Sequence, residues 1–468
     1  MPPAATMTWM MKSRSDSQLS LFSITRGFFK VQNMPLTKLQ HSQLPAWLTT
    51  GGTLCIMMLP LFMFYSRALS DITATTLGCF FLLHCAITRH WRWLQSPWVT
   101  PAAVLCVLSL ISSLHVHERG ALAQALCLPR LFLITAAAQN WILTQNKRRL
   151  VLGGILFVLA LWLISQCWEQ YFTGVNLTGS HPWVDGSLTG PFYKPRASFM
   201  FLMLFFPGIM PVVITSLRSK KPLLWCCGLG LLLLSVVTMI LIGQRMGTVL
   251  MLFGLFLTAL LIRQFRWPFV ITGVCAAIVL ALLPVISPAT YAKLVIKFSD
   301  QLRHFSTSDY GQLFKKATIM TLNHPALGLG MDGFRHFCHE SMHSSFPKAF
   351  NLPALESPAG AGCNIHPHNY YLQVSTTAGL PGLLAFCLMV VCWLKAGARG
   401  LLSTPYAQHT MLFVVCCVVL WPVTSTSALF TFPTAGWIFL FAGWMMAASA
   451  AYPGSAGFSE RTTREKYN

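Results

Sequence analysis

Charge is what this chain has least of. Of its 468 residues only 10% are charged and just 12 are acidic, whereas 54% are hydrophobic and the mean hydropathy is +0.59. An apolar content above the roughly 45–50% of soluble domains excludes a water-soluble globular protein. Period-two alternation is also missing. The apolar runs are continuous and Leu-rich, which excludes a transmembrane β-barrel. No small-residue cleavage site follows the first apolar run, and about 40 polar, basic residues precede it, so a removed signal peptide is not expected; Met34 is an alternative start. Internal repeats and low-complexity tracts are absent as well, and so is an HExxH zinc pattern.

What is present is a succession of apolar runs. A hydrocarbon core about 30 Å thick takes roughly 20 mostly apolar residues per helix, and about twelve such runs occur. They begin near Trp47, Ile72, Val99, Ala121, Val151, Ala197, Leu223, Met246, Phe269, Tyr370, Met411 and Ala435. The expected fold is therefore an all-α polytopic membrane protein with about 12 transmembrane helices.

The formal charge of +21 does not point to nucleic acid, because Lys and Arg sit in short connectors rather than on one soluble face. Their placement reports topology. If the N-terminus is cytoplasmic, the basic clusters fall on one side, as the positive-inside rule requires. They are Lys12, Arg14, Arg26, Lys30 and Lys38; Arg89 and Arg92; Lys147, Arg148 and Arg149; Arg218, Lys220 and Lys221; Arg263 and Arg266; Lys395 and Arg399; and Arg461, Arg464 and Lys466. An even number of spans puts both termini in the cytoplasm. The expected organisation is a basic tail (1–45), nine spans (46–286) interrupted by an outside loop (168–196), a large outside loop (287–367), three spans (368–452) and a second tail (453–468).

The large loop, about 80 residues, is too long for a passive connector. Within it, residues 311–322 have helical spacing of Leu313, Ala317, Met320 and Thr321, with Lys315 and Lys316 on another face. Asn323-His324-Pro325 stops that helix, since proline disfavours helix in the residue before it. The next stretch, Gly328-Leu329-Gly330-Met331-Asp332-Gly333, is formally a G-x-G-x-x-G. It follows a helix rather than a strand, so a tight turn is the better reading than a dinucleotide site. The loop ends in His366-Pro367-His368-Asn369, and nine residues beyond Asn369 comes Gly379-Leu380-Pro381-Gly382.

Imidazoles where a loop meets the bilayer suit proton transfer near neutral pH; the alternative is a histidine that merely caps the next helix. With no matching Cys/His set, a metal site at His366 and His368 is not expected. A similar pair, His115 and His117, has no flanking motif and stays unassigned. Three arginines stand apart from the basic connectors: Arg196, Arg245 in Gly243-Gln244-Arg245-Met246-Gly247, and Arg130 after Pro129. A guanidinium pairs two phosphate oxygens at once, so together they are candidates for holding a pyrophosphate. For Arg196 and Arg245 the alternative is snorkelling to the interface. Arg130, costing at least ~2.5 kcal/mol at mid-span, needs a cavity or a partner and otherwise braces helices. Of 15 cysteines, Cys338 and Cys363 alone lie away from apolar runs. In an oxidising periplasm they are either a disulfide or two free thiols.

His368-Asn369, nine residues, then Gly379-x-x-Gly382 resembles the signature of bacterial O-antigen ligases and their relatives, the O-antigen polymerases and O-linked protein oligosaccharyltransferases. Gly190-Pro191-Phe192 is similar to the family's first-loop motif, Arg245 to its short-turn arginine, and Pro325-x-x-Gly328-x-Gly330 to its mid-loop turn. The family often carries an arginine just before the loop helix where this chain has Tyr310, and an asparagine near the position of Arg196; a transferred arginine role does not map onto Arg303 or Arg335. The resemblance implies glycan transfer from an undecaprenyl-diphosphate-linked donor at the periplasmic face of the inner membrane, with no cofactor, no metal and no nucleic acid. His368 would deprotonate an acceptor hydroxyl, with His366 beside it; Arg196 and Arg245 would hold the diphosphate and Asn369 would orient the histidine or a sugar. Gly328, Gly330, Gly379 and Gly382 would be structural. The expected acceptor is lipid A-core, with a lipid-linked repeat, a protein, or a transport function instead of transfer as alternatives.

Overall fold

In lipid, a backbone donor or acceptor finds a partner only within its own segment, so continuous apolar runs close into helices. The computed structural model describes residues 46–338, 363–401, 406–423 and 428–451. Regular structure among them is helical: α1 (Ala46–Tyr65), α2 (Arg67–Thr88), α3 (Val99–Val116), α4 (Arg119–Cys127), α5 (Pro129–Ala137), α6 (Asn146–Thr173), α7 (Ala197–Leu204), α8 (Met210–Leu217), α9 (Pro222–Ile242), α10 (Arg245–Leu261), α11 (Arg266–Ile286), α12 (Pro288–Tyr291), α13 (Lys297–Arg303), α14 (Asp309–Asn323), α15 (Gly333–Phe337), α16 (Tyr370–Gly397), α17 (Ala407–Val419) and α18 (Thr434–Ala450). Wide π turns continue α5 through Ala138–Ile142 and join α7 to α8 through Phe205–Ile209.

Among the described residues, nine helices are long and apolar enough to cross a membrane, and three more apolar helices, α10, α17 and α18, are shorter. They fall where the apolar runs predict. The 17 residues of α10 reach roughly 25 Å at 1.5 Å per residue, short of the full hydrocarbon thickness. The two basic tails and Met34 lie outside the described residues.

Burial sorts the helices into layers. Residues Thr434–Ser449 of α18 are buried on every side, with Trp437, Phe439, Phe441 and Trp444 among them, as expected for a helix surrounded by others. Neighbours approach it closely: a Cβ on Gly443 would lie 2.6 Å from the Thr135 carbonyl oxygen of α5. By contrast, α11 exposes Val270, Ile271, Val274, Ile278 and Leu282 along its length, the surface of a helix that faces lipid.

The connector between α11 and α16 builds a small core of its own. Leu313, Ala317 and Met320 of α14 pack with Leu329, Phe334 and Cys338. Helix α14 is the one predicted, N-capped by Ser308 through Gly311 N–H at 3.2 Å. Lys316, set on another face than Leu313, Ala317 and Met320, is itself buried. Burial lowers its pKa.

That connector docks onto a break in α16. Ala378 and Gly379 leave helical geometry, with Gly379 at φ 67° and ψ −168°. Pro381 has no N–H to give to the Thr377 carbonyl four residues back, and the Leu380 N–H turns away to Pro325 O at 2.8 Å. The two stranded carbonyls are taken up from outside the helix: Thr376 O accepts from Leu329 N at 2.7 Å and Thr377 O from Gly330 N at 3.0 Å. Backbones meet so closely here that a Cβ on Gly328 would sit 2.6 Å from Gly379 N, and one on Gly379 2.6 Å from Pro325 O. Gly330 faces α3, where the Ser112 hydroxyl accepts its N–H at 2.7 Å. The G-x-G-x-x-G stretch is thus a turn, and its glycines and those of Gly379-x-x-Gly382 serve one joint.

Gly379→Ala should destabilise the protein by about 1–3 kcal/mol, since a side chain there is both strained and blocked. Gly230→Ala, where a Cβ meets nothing within 4 Å, should not. Thermal unfolding of the two purified variants in detergent checks this, and equal midpoints would remove the joint from the account.

Candidate functional site

A cavity of about 540 Å³ opens at the bundle end where α7, α10 and α16 begin. Its walls are largely apolar, from Phe199, Leu202, Leu250, Phe253, Phe298 and Phe314 among others. Set into them are two cations, Arg245 and Lys293, with Gln244, Gln301, Tyr310 and Tyr370.

Each cation is held from a different element. Arg245 starts α10, and its guanidinium donates to Gln301 Oε1 at 2.6 Å. The Lys293 ammonium pairs with Asp185 at 2.5 Å and donates to Ser187 Oγ, tying the connector between α6 and α7 to the stretch after α11. Burial pushes the Asp185 carboxyl up, but hydrogen bonds from Lys293 and Ser187 outweigh it and hold its pKa below the ordinary value. The α6–α7 connector is itself pinned by buried amides: Gln170 donates to Ser180 O and Thr189 Oγ1 and accepts from Thr189 N and Gly190 N. Asn176 Nδ2 donates to Gly190 O at 2.6 Å, and Phe192 packs on Phe64. The Gly190-Pro191-Phe192 motif is therefore an anchor. Just beyond it, Pro195 lines the cavity and Arg196 is the N-cap residue of α7, half-buried, with no hydrogen-bond partner for its guanidinium among the described residues.

The histidines lie against the cavity's Tyr310 side. His368 meets the Tyr310 ring edge-on at a centroid distance of 5.8 Å and the His366 ring at 4.2 Å. Its backbone is left-handed, φ 52°, a conformation that turns the chain sharply into α16. Their environments differ. His366 is 9% exposed, and burial together with the neighbouring His368 pushes its pKa down to about 4. At neutral pH it is an uncharged imidazole and a poor proton acceptor; the half-buried His368 is the accessible one.

Asn369 is committed to the backbone. Its Oδ1 caps α16 by accepting from Tyr371 N and Leu372 N at 3.0 and 3.1 Å, and its Nδ2 donates to Pro422 O at 2.6 Å. This N-cap fixes the chain just after His368. On the other side, Cys363 is joined to Cys338 in a disulfide with Cα atoms 5.7 Å apart, so the His366-Pro367-His368 stretch is clamped at both ends. His117 closes α3 in a left-handed turn, its Nδ1 2.7 Å from His115 O.

Arg130 is not part of this arrangement. It lines a second cavity, where its Nε donates to Asp71 at 2.8 Å and its terminal nitrogen to Cys127 O at 2.7 Å. The ion pair gives Arg130 a partner, and Arg130 does not line the Arg245 cavity. Arg303 and Arg335 are exposed and line neither cavity. Lys293 was the residue that sequence reasoning missed. A signal existed: like Arg245, it is a cation at a span end that the charge rule leaves unexplained.

An O-antigen ligase family model matches residues 230–387. This segment, about a third of the chain, is similar to the O-antigen ligase family. It runs from within α9 to within α16, and so holds Arg245, Lys293, Tyr310, His366, His368 and the whole glycine joint, but neither Arg196 nor Arg130. No curated protein matches the chain.

The depressed His366 pKa carries a pH signature. Above pH 6.5 folded and unfolded chains both hold a neutral imidazole; as pH falls toward about 4 the unfolded chain binds the proton first, so stability is lost across that window and the slope ends below it. The thermal midpoint should therefore drop between those pH values, and His366→Gln should flatten the drop; an unchanged slope in the variant would show that His366 titrates normally.

Proposed function

We propose that the protein is an O-antigen ligase-type glycosyltransferase, moving a glycan from undecaprenyl diphosphate to a sugar hydroxyl of lipid A-core at the periplasmic face of the inner membrane. The observation that carries this reading is His368 standing against Tyr310 at the edge of an apolar cavity that contains Arg245 and Lys293, within the segment similar to the O-antigen ligase family. Apolar walls suit a polyprenyl chain. Two cations suit its diphosphate.

Both Arg196 and Arg245 stand at helix N-termini. The helix dipole already disfavours cations there, so an anion bound between them offsets two unfavourable terms at once. In the reaction, His368 takes the proton from the acceptor hydroxyl as its oxygen attacks the anomeric carbon. The bond from that carbon to the diphosphate oxygen breaks, and the diphosphate leaves with its charge held by Arg245 and Lys293, with Arg196 alongside. Fixed cations set in largely apolar walls stabilise such developing charge strongly. Attack opposite the leaving group inverts the anomeric centre. His366, neutral at working pH, packs on His368 and sets its orientation. ATP and sugar nucleotides are absent outside the inner membrane, so a donor already activated on lipid is what the reaction needs.

The test is transfer by purified protein from a lipid-diphosphate glycan to lipid A-core or, separately, to a second lipid-linked repeat. Product on lipid A-core is expected, insensitive to chelator, and His368→Ala should lower kcat by a factor of about 10²–10⁴. Lengthened donor chains would instead make the protein a polymerase, and a fully active, correctly inserted His368→Ala would falsify the general-base role.

A further inference from the structure

The second cavity, about 490 Å³, takes no part in the chemistry above. It opens where α2 begins, beside the junction of α4 and α5, and is closed by Met331 and by Phe430–Phe432. Its charged lining is two guanidiniums to one carboxylate: Arg67 and Arg130 against Asp71. Arg130 shares Asp71, whereas Arg67 is exposed and has no protein partner among the described residues. Among the lining residues positive charge is therefore in excess, the nearest further carboxylate, Asp332, lying behind Gln124 and held by its amide.

Its position relates it to the donor cavity. The connector between α17 and α18 lines the donor cavity with Trp421 and Val423 and the second cavity with Phe430 and Thr431. Between these, the first turn of α16 grips the same connector twice, through Asn369 on Pro422 O and through Gln373 Oε1 on Leu429 N at 2.7 Å. The two cavities thus flank the N-terminus of α16, where His368 sits. The loop turn joins them from the other side, since Asp332, next to Met331, accepts from Gln124 Nε2 at 2.8 Å and Gln124 lines the second cavity. A transfer between two lipid-borne substrates needs two lipid-headgroup sites with the base between them.

Resting on the transferase reading, we propose that the second cavity is the acceptor-side subsite and binds a phosphate of the acceptor lipid's headgroup, with Arg67 and Arg130 as its ligands. The same phosphate chemistry is present in ordinary anionic phospholipids, so the experiment has two arms. In the first, retention of phosphatidic acid against phosphatidylcholine by the full-length protein is measured by native mass spectrometry for wild type, Arg67→Ala and Arg130→Ala. In the second, KM is measured for lipid A-core with and without its phosphates. Loss of one charge-assisted contact should weaken phosphatidic acid retention about tenfold and raise KM for the phosphorylated acceptor by a similar factor, with no such rise for the dephosphorylated acceptor. Arg67→Ala, at an exposed position, keeps the test valid if Arg130→Ala does not fold. Weakened retention with an unchanged acceptor KM would place bulk phospholipid in the cavity and overturn the acceptor assignment. Unchanged retention and unchanged KM would overturn the phosphate site altogether. No transfer by wild type to any acceptor, alongside Arg67-dependent retention, would count against the transferase reading alone and leave the phosphate site standing.

Discussion

The backbone joint between the Pro325–Gly330 turn and the break in α16 is the constraint on which the rest depends. Two carbonyls freed by Gly379 and Pro381 would be stranded in an apolar bundle, at a cost of several kcal/mol each if unpaired. They are satisfied only because a turn from a connector enters the bundle and supplies Leu329 N and Gly330 N. The same turn reaches α3 through Ser112 and Ser113. A long connector, which elsewhere would move over the surface, is thereby fixed to two helices, and α14 with its small core is fixed with it. Tyr310 at the start of α14 and His368 before α16 meet for that reason.

Local devices then set the histidines. Asn369 caps α16, the Cys338–Cys363 bridge holds the approach to it, and a left-handed residue between them turns the chain. None of these touches the place where a substrate would bind, yet each fixes one degree of freedom of His368. The two imidazoles, 4.2 Å apart, are kept distinct chiefly by burial, with His368 adding to it: the covered one is a weak base, and the half-covered one is the more accessible.

Much of this was legible in the sequence, and for definite reasons. Apolar runs fixed the helices to within a few residues because lipid leaves the backbone no other option, and the spacing of Leu313, Ala317 and Met320 located α14. The signature glycines were readable as structural, but not as partners of one another, since nothing in a sequence says that Gly328 and Gly379 occupy the same few ångströms. The burial of Lys316 was not readable because a lysine on an amphipathic helix is ordinarily solvated, and here the cover comes from tertiary packing. Arg130 was grouped with Arg196 and Arg245 by residue type; its ion pair with Asp71, 59 positions away, is a long-range fact. That the Asn369 amide caps α16 and reaches Pro422 O, 53 positions away, is likewise set by the fold and not by its place beside a histidine.

On the proposed function, the ion pair between Lys293 and Asp185 would make donor entry an exchange rather than the filling of a vacancy. A diphosphate that reaches Lys293 displaces a carboxylate already seated there, so the cavity's net charge changes by less than the ligand's own. The displaced Asp185 also lets go of the only salt bridge, among the described residues, between the α6–α7 connector and the stretch after α11. Binding and the slackening of those two connectors are then the same event, and the departure of the diphosphate restores the pair. A site built this way would reset itself after each turnover of the proposed reaction without any further part.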